Sequence, residues 1–225
     1  MGDKPAMTPP PSSQFGPSLS GTWAVWALVM GIVALKVFAA RATGSVGALT
    51  ALTDSIMDLL VLGMVAGAGR TLRTAAADAR IRRLKGSMVI AAGAFMGLVC
   101  LARIVQPVPL SGGYWGPGAA LAVVGLTLGL AWLRGQAAAS RPSDIRGEVR
   151  DQSIAELAAA GVLALGLVAG VFLGAPALDA AAGLILAIWM VWGGWALIRT
   201  ADDTARSGAP TLVPGTPPVR RGPWG

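Results

Sequence analysis

Histidine is absent from the chain, and Cys100 is its only cysteine. One cysteine excludes a disulfide within a single chain. With no histidine and no cysteine cluster, a structural zinc site cannot be assembled either. Any metal this protein meets must therefore be met by oxygen. The lack of histidine also removes the commonest general base, and no G-x-S-x-G, H-E-x-x-H or P-loop pattern occurs, so nothing points to an enzyme. Charge is scarce as well. Asp, Glu, Lys and Arg make up 13% of the residues, where soluble domains carry about 25%.

What is abundant is apolar. Hydrophobic residues reach 54% and the mean hydropathy is +0.65, the composition of an integral membrane protein, expected here in a bacterial inner (plasma) membrane. The formal charge of +7 looks at first like a nucleic-acid signal. Most of the basic residues, however, fall in connections between hydrophobic runs, where they report topology.

Six runs are long enough to cross a bilayer: residues 21–40, 47–69, 86–104, 115–133, 152–174 and 178–198. Trp23 and Trp26 read as interfacial anchors of the first, and Lys36 is expected to snorkel to its far interface with Arg41. Trp189, Trp192 and Trp195 form a stripe on the last, suited to lipid or helix packing. Cys100 and Arg103 lie in the third, the thiol expected to be buried and the guanidinium to snorkel. Basic residues cluster after the second run (Arg70 to Lys85), the fourth (Arg134 to Arg150) and the sixth (from Arg199), whereas the turns after the third and fifth hold none. The positive-inside rule then gives six spans with both termini in the cytoplasm. Residues 1–20 and 204–225, rich in Pro, Ser and Gly, are expected to be disordered cytoplasmic tails around a transmembrane domain at 21–203, with no folded C-terminal domain.

The polar exceptions inside these runs carry the chemistry. Asp54 and Asp58 stand four residues apart in the second run, which places both carboxylates on one helix face, a turn apart. One carboxylate deep in a bilayer costs about 3 kcal/mol on insertion scales. Two on one face must turn into the bundle, where a proton or cation neutralises them. Gln152 and Glu156 repeat the spacing at the start of the fifth run, so two helices can offer one cation four oxygen-bearing side chains. The blander alternative for Asp151, Gln152 and Glu156 is that of polar residues favourable at a helix N-terminus.

These residues resemble the transmembrane domain of the cation diffusion facilitator family. The run Gly44 to Asp58 is similar to that family's second-helix pattern G-S-x-A-L-L-A-x-x-x-D-S-x-x-D. Gln152-Ser153-Ile154-Ala155-Glu156 aligns with its fifth-helix H-x-x-x-D, and Asp179 to Gly183 with the start of its sixth helix. The resemblance spans roughly residues 22–203. It implies an all-α bundle that exports divalent metal in exchange for protons, with Asp54, Asp58, Gln152 and Glu156 as the metal ligands and a homodimer as a family precedent. The departures are Gln152 in place of the family's histidine, the missing histidine-rich loop after the second helix, and the missing ferredoxin-like C-terminal domain.

Two functions follow as expectations. In the first, the chain is a proton-coupled divalent-cation exporter, with metal and protons as its partners and no bound cofactor or nucleic acid. An all-oxygen ligand set tilts selectivity toward a hard ion such as Mn²⁺ or Fe²⁺, against the intrinsic preference of most sites for Zn²⁺. In the second, it is a non-transporting scaffold or accessory homologue with a degenerate metal site.

Overall fold

In the computed structural model the described residues are 19–67, 75–111, 113–139 and 143–207. Among them the chain forms six α-helices and no strand: α1 (Leu19–Thr43), α2 (Val46–Gly67), α3 (Ala75–Val105), α4 (Trp115–Ala139), α5 (Ser143–Phe172) and α6 (Pro176–Ser207). The expected tails lie outside the described residues except at their inner edges, residues 19–20 and 204–207, which are helical.

Among the described residues, five segments are long and apolar enough to cross a membrane: Val25–Thr43, Ala79–Val105, Trp115–Ala139, Val149–Phe172 and Pro176–Asp202. The protein is an integral membrane protein.

The helices outrun the apolar stretches that announce them. α3, α5 and α6 have 31, 30 and 32 residues, or about 45–48 Å at 1.5 Å per residue, against a hydrocarbon layer of about 30 Å. This corrects the expectation that the basic residues sit in loops. Arg80, Arg82, Arg83 and Lys85 are on α3, Arg134 is on α4, and Arg146 and Arg150 are on α5. Arg, Lys and Ala are good helix formers, so the helix continues into polar sequence that hydropathy reads as connection.

The turn from α1 to α2 shows how the chain reverses. Gly44, at φ +68°, takes the left-handed conformation that ends a helix, and its amide closes on the Ala40 carbonyl at 2.9 Å. Ser45 then caps α2, its Oγ accepting the Ala48 amide at 2.9 Å. The Ser111 amide donates to the Thr43 carbonyl at 3.0 Å, and the Tyr114 and Phe172 rings meet at 5.4 Å. Those contacts gather the ends of α1, α3 and α5 and the starts of α2, α4 and α6 at one end of the bundle. The start of α1 and the end of α6 lie at the other, called here the terminal end.

The core is built from small side chains. Ala39, Ala48 and Ala120 pack with Leu163 and Leu167 where α1, α2, α4 and α5 converge. The most extensive helix pair is α3 with α6. A Cβ on Gly194 would stand 2.7 Å from the Gly86 carbonyl, and one on Gly86 equally close to the Gly194 carbonyl. The two backbones touch there, the close approach through which helices associate in lipid. On α5 the approach to α6 is made by Gly166 and Gly170, whereas nothing lies near Gly161. Outward surfaces are apolar, with Phe95, Trp132, Leu165 and the stripe Trp189, Trp192 and Trp195 all exposed. Cys100 is fully buried, as expected.

Candidate functional site: a charge-balanced cavity

α2 presents Asp54 and Asp58 a turn apart, and α5 presents Gln152 and Glu156 a turn apart, as their spacing requires. All four line one cavity of about 400 Å³ between α1, α2, α4 and α5. A second cavity of about 310 Å³ on the α6 side shares Asp54, Asp58 and Glu156 in its wall. The polar constellations expected to converge are thus on the walls of one space.

What the sequence reading missed is the company they keep. Lys36, Lys85 and Arg134 line the same cavity, so three acids face three bases. Lys85 Nζ on α3 reaches Asp58 Oδ1 at 2.9 Å. One terminal nitrogen of Arg134 on α4 donates to both Glu156 oxygens, at 2.7 and 2.6 Å. Gln152 Nε2 donates to Glu156 Oε1 at 3.0 Å, so the amide nitrogen of Gln152, rather than its carbonyl, is turned to the carboxylate. Asp54 makes no hydrogen bond or ion pair among the described residues. Also among them, no three of His, Cys, Asp or Glu stand close enough together to hold a metal ion.

Lys36 is where the structure overturns an expectation. Its Nζ does not run to the far interface with Arg41. It donates to the Ala51 carbonyl at 3.1 Å and to Ser55 Oγ at 2.7 Å, both on α2. The reason lies in helix geometry: side chains lean toward the N-terminus of their own helix. Lys36 sits seven residues before the end of α1, and leaning back carries it toward mid-helix, beside Asp54. Weak signals for the other two bases were present in sequence, since Arg134 ends the fourth apolar run and Lys85 precedes the third. Nothing in sequence said which acid each would meet.

The physical effect of the pairing is neutralisation. An uncompensated charge within a bundle costs several kcal/mol, and a partner in hydrogen-bond contact offsets most of that. Both pairs are partly open to solvent, with side chains 27% and 60% exposed for Lys85 and Asp58 and 27% and 32% for Arg134 and Glu156. They are therefore breakable. On the same side of the bundle Arg83 and Asp202 join α3 to α6 at 2.6 Å, away from the cavity lining.

A second polar cluster lies at the opposite end. Asp179, in the first turn of α6 and 2% exposed, accepts from Ser45 Oγ at 2.6 Å, the Val46 amide at 3.0 Å and the Gly47 amide at 3.3 Å. A carboxylate set against the free amides of a helix start satisfies donors the helix itself cannot. Asp179 and Ser45 are 134 residues apart in the chain, and nothing in the sequence joined them.

No protein-family model and no curated protein matches this chain.

Proposed function

We propose that the chain is a secondary transporter that exports a divalent metal cation, of the Mn²⁺, Fe²⁺ or Zn²⁺ type, from the cytoplasm in exchange for protons. It would cross the membrane six times, α2 included, with both termini cytoplasmic, and Asp54, Asp58, Gln152 and Glu156 as the substrate ligands. The single observation carrying this reading is that the paired polar residues of α2 and α5 line one cavity, where Asp54 makes no hydrogen bond or ion pair among the described residues. The resemblance of Gly44 to Asp58 to the cation diffusion facilitator pattern supports it independently.

The chemistry follows from competition. A carboxylate binds a proton or a metal, and a dication favours the deprotonated form. Loading metal on one side therefore releases protons, and protons on the other side help to release metal. Transport then needs the α2–α5 seat to face the two sides in turn. The test is metal uptake into proteoliposomes under an imposed pH gradient. Asp54→Asn is expected to abolish gradient-driven uptake of Mn²⁺ and Zn²⁺, and uptake equal to the parent's would overturn the assignment.

One observation favours a second reading, a membrane scaffold or accessory protein that keeps the bundle without transport. Two of the three acids, Asp58 and Glu156, are already held by internal bases. Calorimetric titration with Mn²⁺, Zn²⁺, Co²⁺ and Fe²⁺ separates the two, since a scaffold binds none of them.

A further inference from the structure

The ion pairs around the cavity follow a pattern in the helices they join. Asp58 on α2 is held by Lys85 on α3, and Glu156 on α5 by Arg134 on α4. As they stand, these pairs tie α2 to α3 and α5 to α4, and no ion pair among the described residues joins α2 to α5. Lys36 differs. Both of its partners, Ala51 and Ser55, are on the same helix as Asp54, so it stays beside that carboxylate whatever α3 and α4 do.

Resting on the transporter reading above, we propose that Lys85 and Arg134 are resident counter-cations that trade places with the substrate metal. A metal seated between α2 and α5 must take Asp58 and Glu156 from these two bases. The same event that ties α2 to α5 then unties α2 from α3 and α5 from α4. Two singly charged side chains leave Asp58 and Glu156 and one dication arrives, so the charge facing those two acids is unchanged, and Asp54 is the acid left to exchange a proton. A monovalent ion would leave one unit of charge unbalanced, which makes the exchange selective for divalent ions. On release the ammonium and guanidinium return to their carboxylates and hold the metal off. The bases thus weaken resting affinity and speed discharge, and they couple occupancy of the seat to the helix contacts that must change for access to alternate.

The test uses the full chain in lipid nanodiscs, titrated with Mn²⁺ or Zn²⁺ alone. Arg134→Gln and Lys85→Gln are each expected to bind metal about tenfold more tightly than the parent, the scale of one close pairwise coupling. Arg134→Gln with Glu156→Gln should lose that gain, and Arg83→Gln, which removes a charge from a pair outside the cavity, should bind as the parent does. In proteoliposomes Arg134→Gln should lower both KM and the maximal rate, because tighter binding slows discharge. A gain in affinity cannot arise from damaged folding. Should Arg134→Gln fail to fold, Lys85→Gln, whose acid partner is the more exposed, carries the test alone. If the parent binds metal and neither variant binds it more tightly, the exchange of residents is refuted while the transporter reading stands. If the parent is silent and Arg134→Gln or Lys85→Gln binds, the exchange is upheld. If neither the parent nor any variant binds while all melt cooperatively, the transporter reading falls, and the exchange falls with it.

Discussion

Replacing Asp179 with alanine is expected to loosen the end of the bundle where α2 begins, and the loss can be worked from its contacts. The carboxylate accepts one hydroxyl and two amides, from Ser45, Val46 and Gly47, at a site 2% exposed. Alanine leaves these donors without an acceptor, and a stranded buried donor costs about 1–3 kcal/mol. Because water entering the vacated space satisfies part of the deficit, the net loss falls at about 3–5 kcal/mol, the range for breaking a buried charged network. Asp179→Asn keeps one carbonyl oxygen and should lose about half as much. The molecule supplies its own reporter. Cys100, the lone thiol, is 0% exposed and sits 3.6 Å from Thr50 Oγ1 on α2, and a Cβ on Gly183 of α6 would touch its sulfur. The thiol therefore reacts only when α2, α3 and α6 part. A loss of 3 kcal/mol raises the open population, and with it the labelling rate by a membrane-permeant maleimide, by about 150-fold. The parent and the variant should label at the same rate in denaturing SDS. If Asp179→Ala labels within about threefold of the parent under native conditions, Asp179 is not what fastens α2 to α6.

Other outcomes follow from the same geometry. Gly194→Leu should separate α3 from α6, because its Cβ would stand 2.7 Å from the Gly86 carbonyl; a loss of about 1–3 kcal/mol or more is expected in SDS-titrated unfolding. Trp192, 74% exposed on the outer face of α6, should be quenched by brominated lipid, and Trp192→Phe should remove part of that quenching; no change would place the α6 stripe away from the acyl chains. Ser45→Ala removes both the bond to Asp179 and the cap on Ala48, for about 1–2 kcal/mol of stability by the same unfolding assay. Metal binding to the carboxylate cavity should weaken steadily as pH is lowered from about 8 to about 5, because ligating carboxylates must be deprotonated and protons compete for them; titrations that overlay across that range would exclude the carboxylates as ligands.

How much of this was legible depended on which physical signal each feature leaves in one dimension. Helix number and type were, because a bilayer demands long apolar runs and nothing else in this sequence produces them. Helix ends were not. Hydropathy follows the solvent rather than the backbone, so α3 was expected to start at residue 86 and starts at Ala75, and α6 was expected to stop at 198 and runs to Ser207. The i, i+4 acids on α2 and the matching pair on α5 were readable because helix periodicity fixes their face. Their partners were not, because Lys85, Arg134 and Asp179 meet their ligands across 22 to 134 residues of chain. Periodicity says which way a side chain points along its own helix and nothing about the helix it will meet. Lys36 is the instructive case. A helical side chain leans back toward the start of its own helix, and that lean turns Lys36 from the far interface toward Ala51 and Ser55 on α2.

Two points along α2, Ser45 at its start and Asp58 beyond its middle, are fastened by different chemistry, and that difference bears on how such a bundle would move. Ser45 and Asp58 are 13 residues apart, about 20 Å along the helix axis. At Ser45 the tie to α6 is a buried carboxylate bonded to a hydroxyl and two backbone amides, and no step of cation exchange competes for that carboxylate. At Asp58 the tie to α3 is one exposed salt bridge, of the kind worth about 1 kcal/mol or less in isolation. A metal competing for the carboxylates can displace the second kind of tie and leave the first intact. If α2 changes its neighbours during a transport cycle, the swing should therefore be largest at the terminal end and smallest at Asp179. Metal-dependent change in spin-label distances across α2–α3 should accordingly be greater for labels placed near Asp58 than for labels placed near Ser45. Equal movement at both points would mean that α2 shifts as a rigid rod, and that the Asp179 cluster is remade in each cycle rather than serving as its pivot.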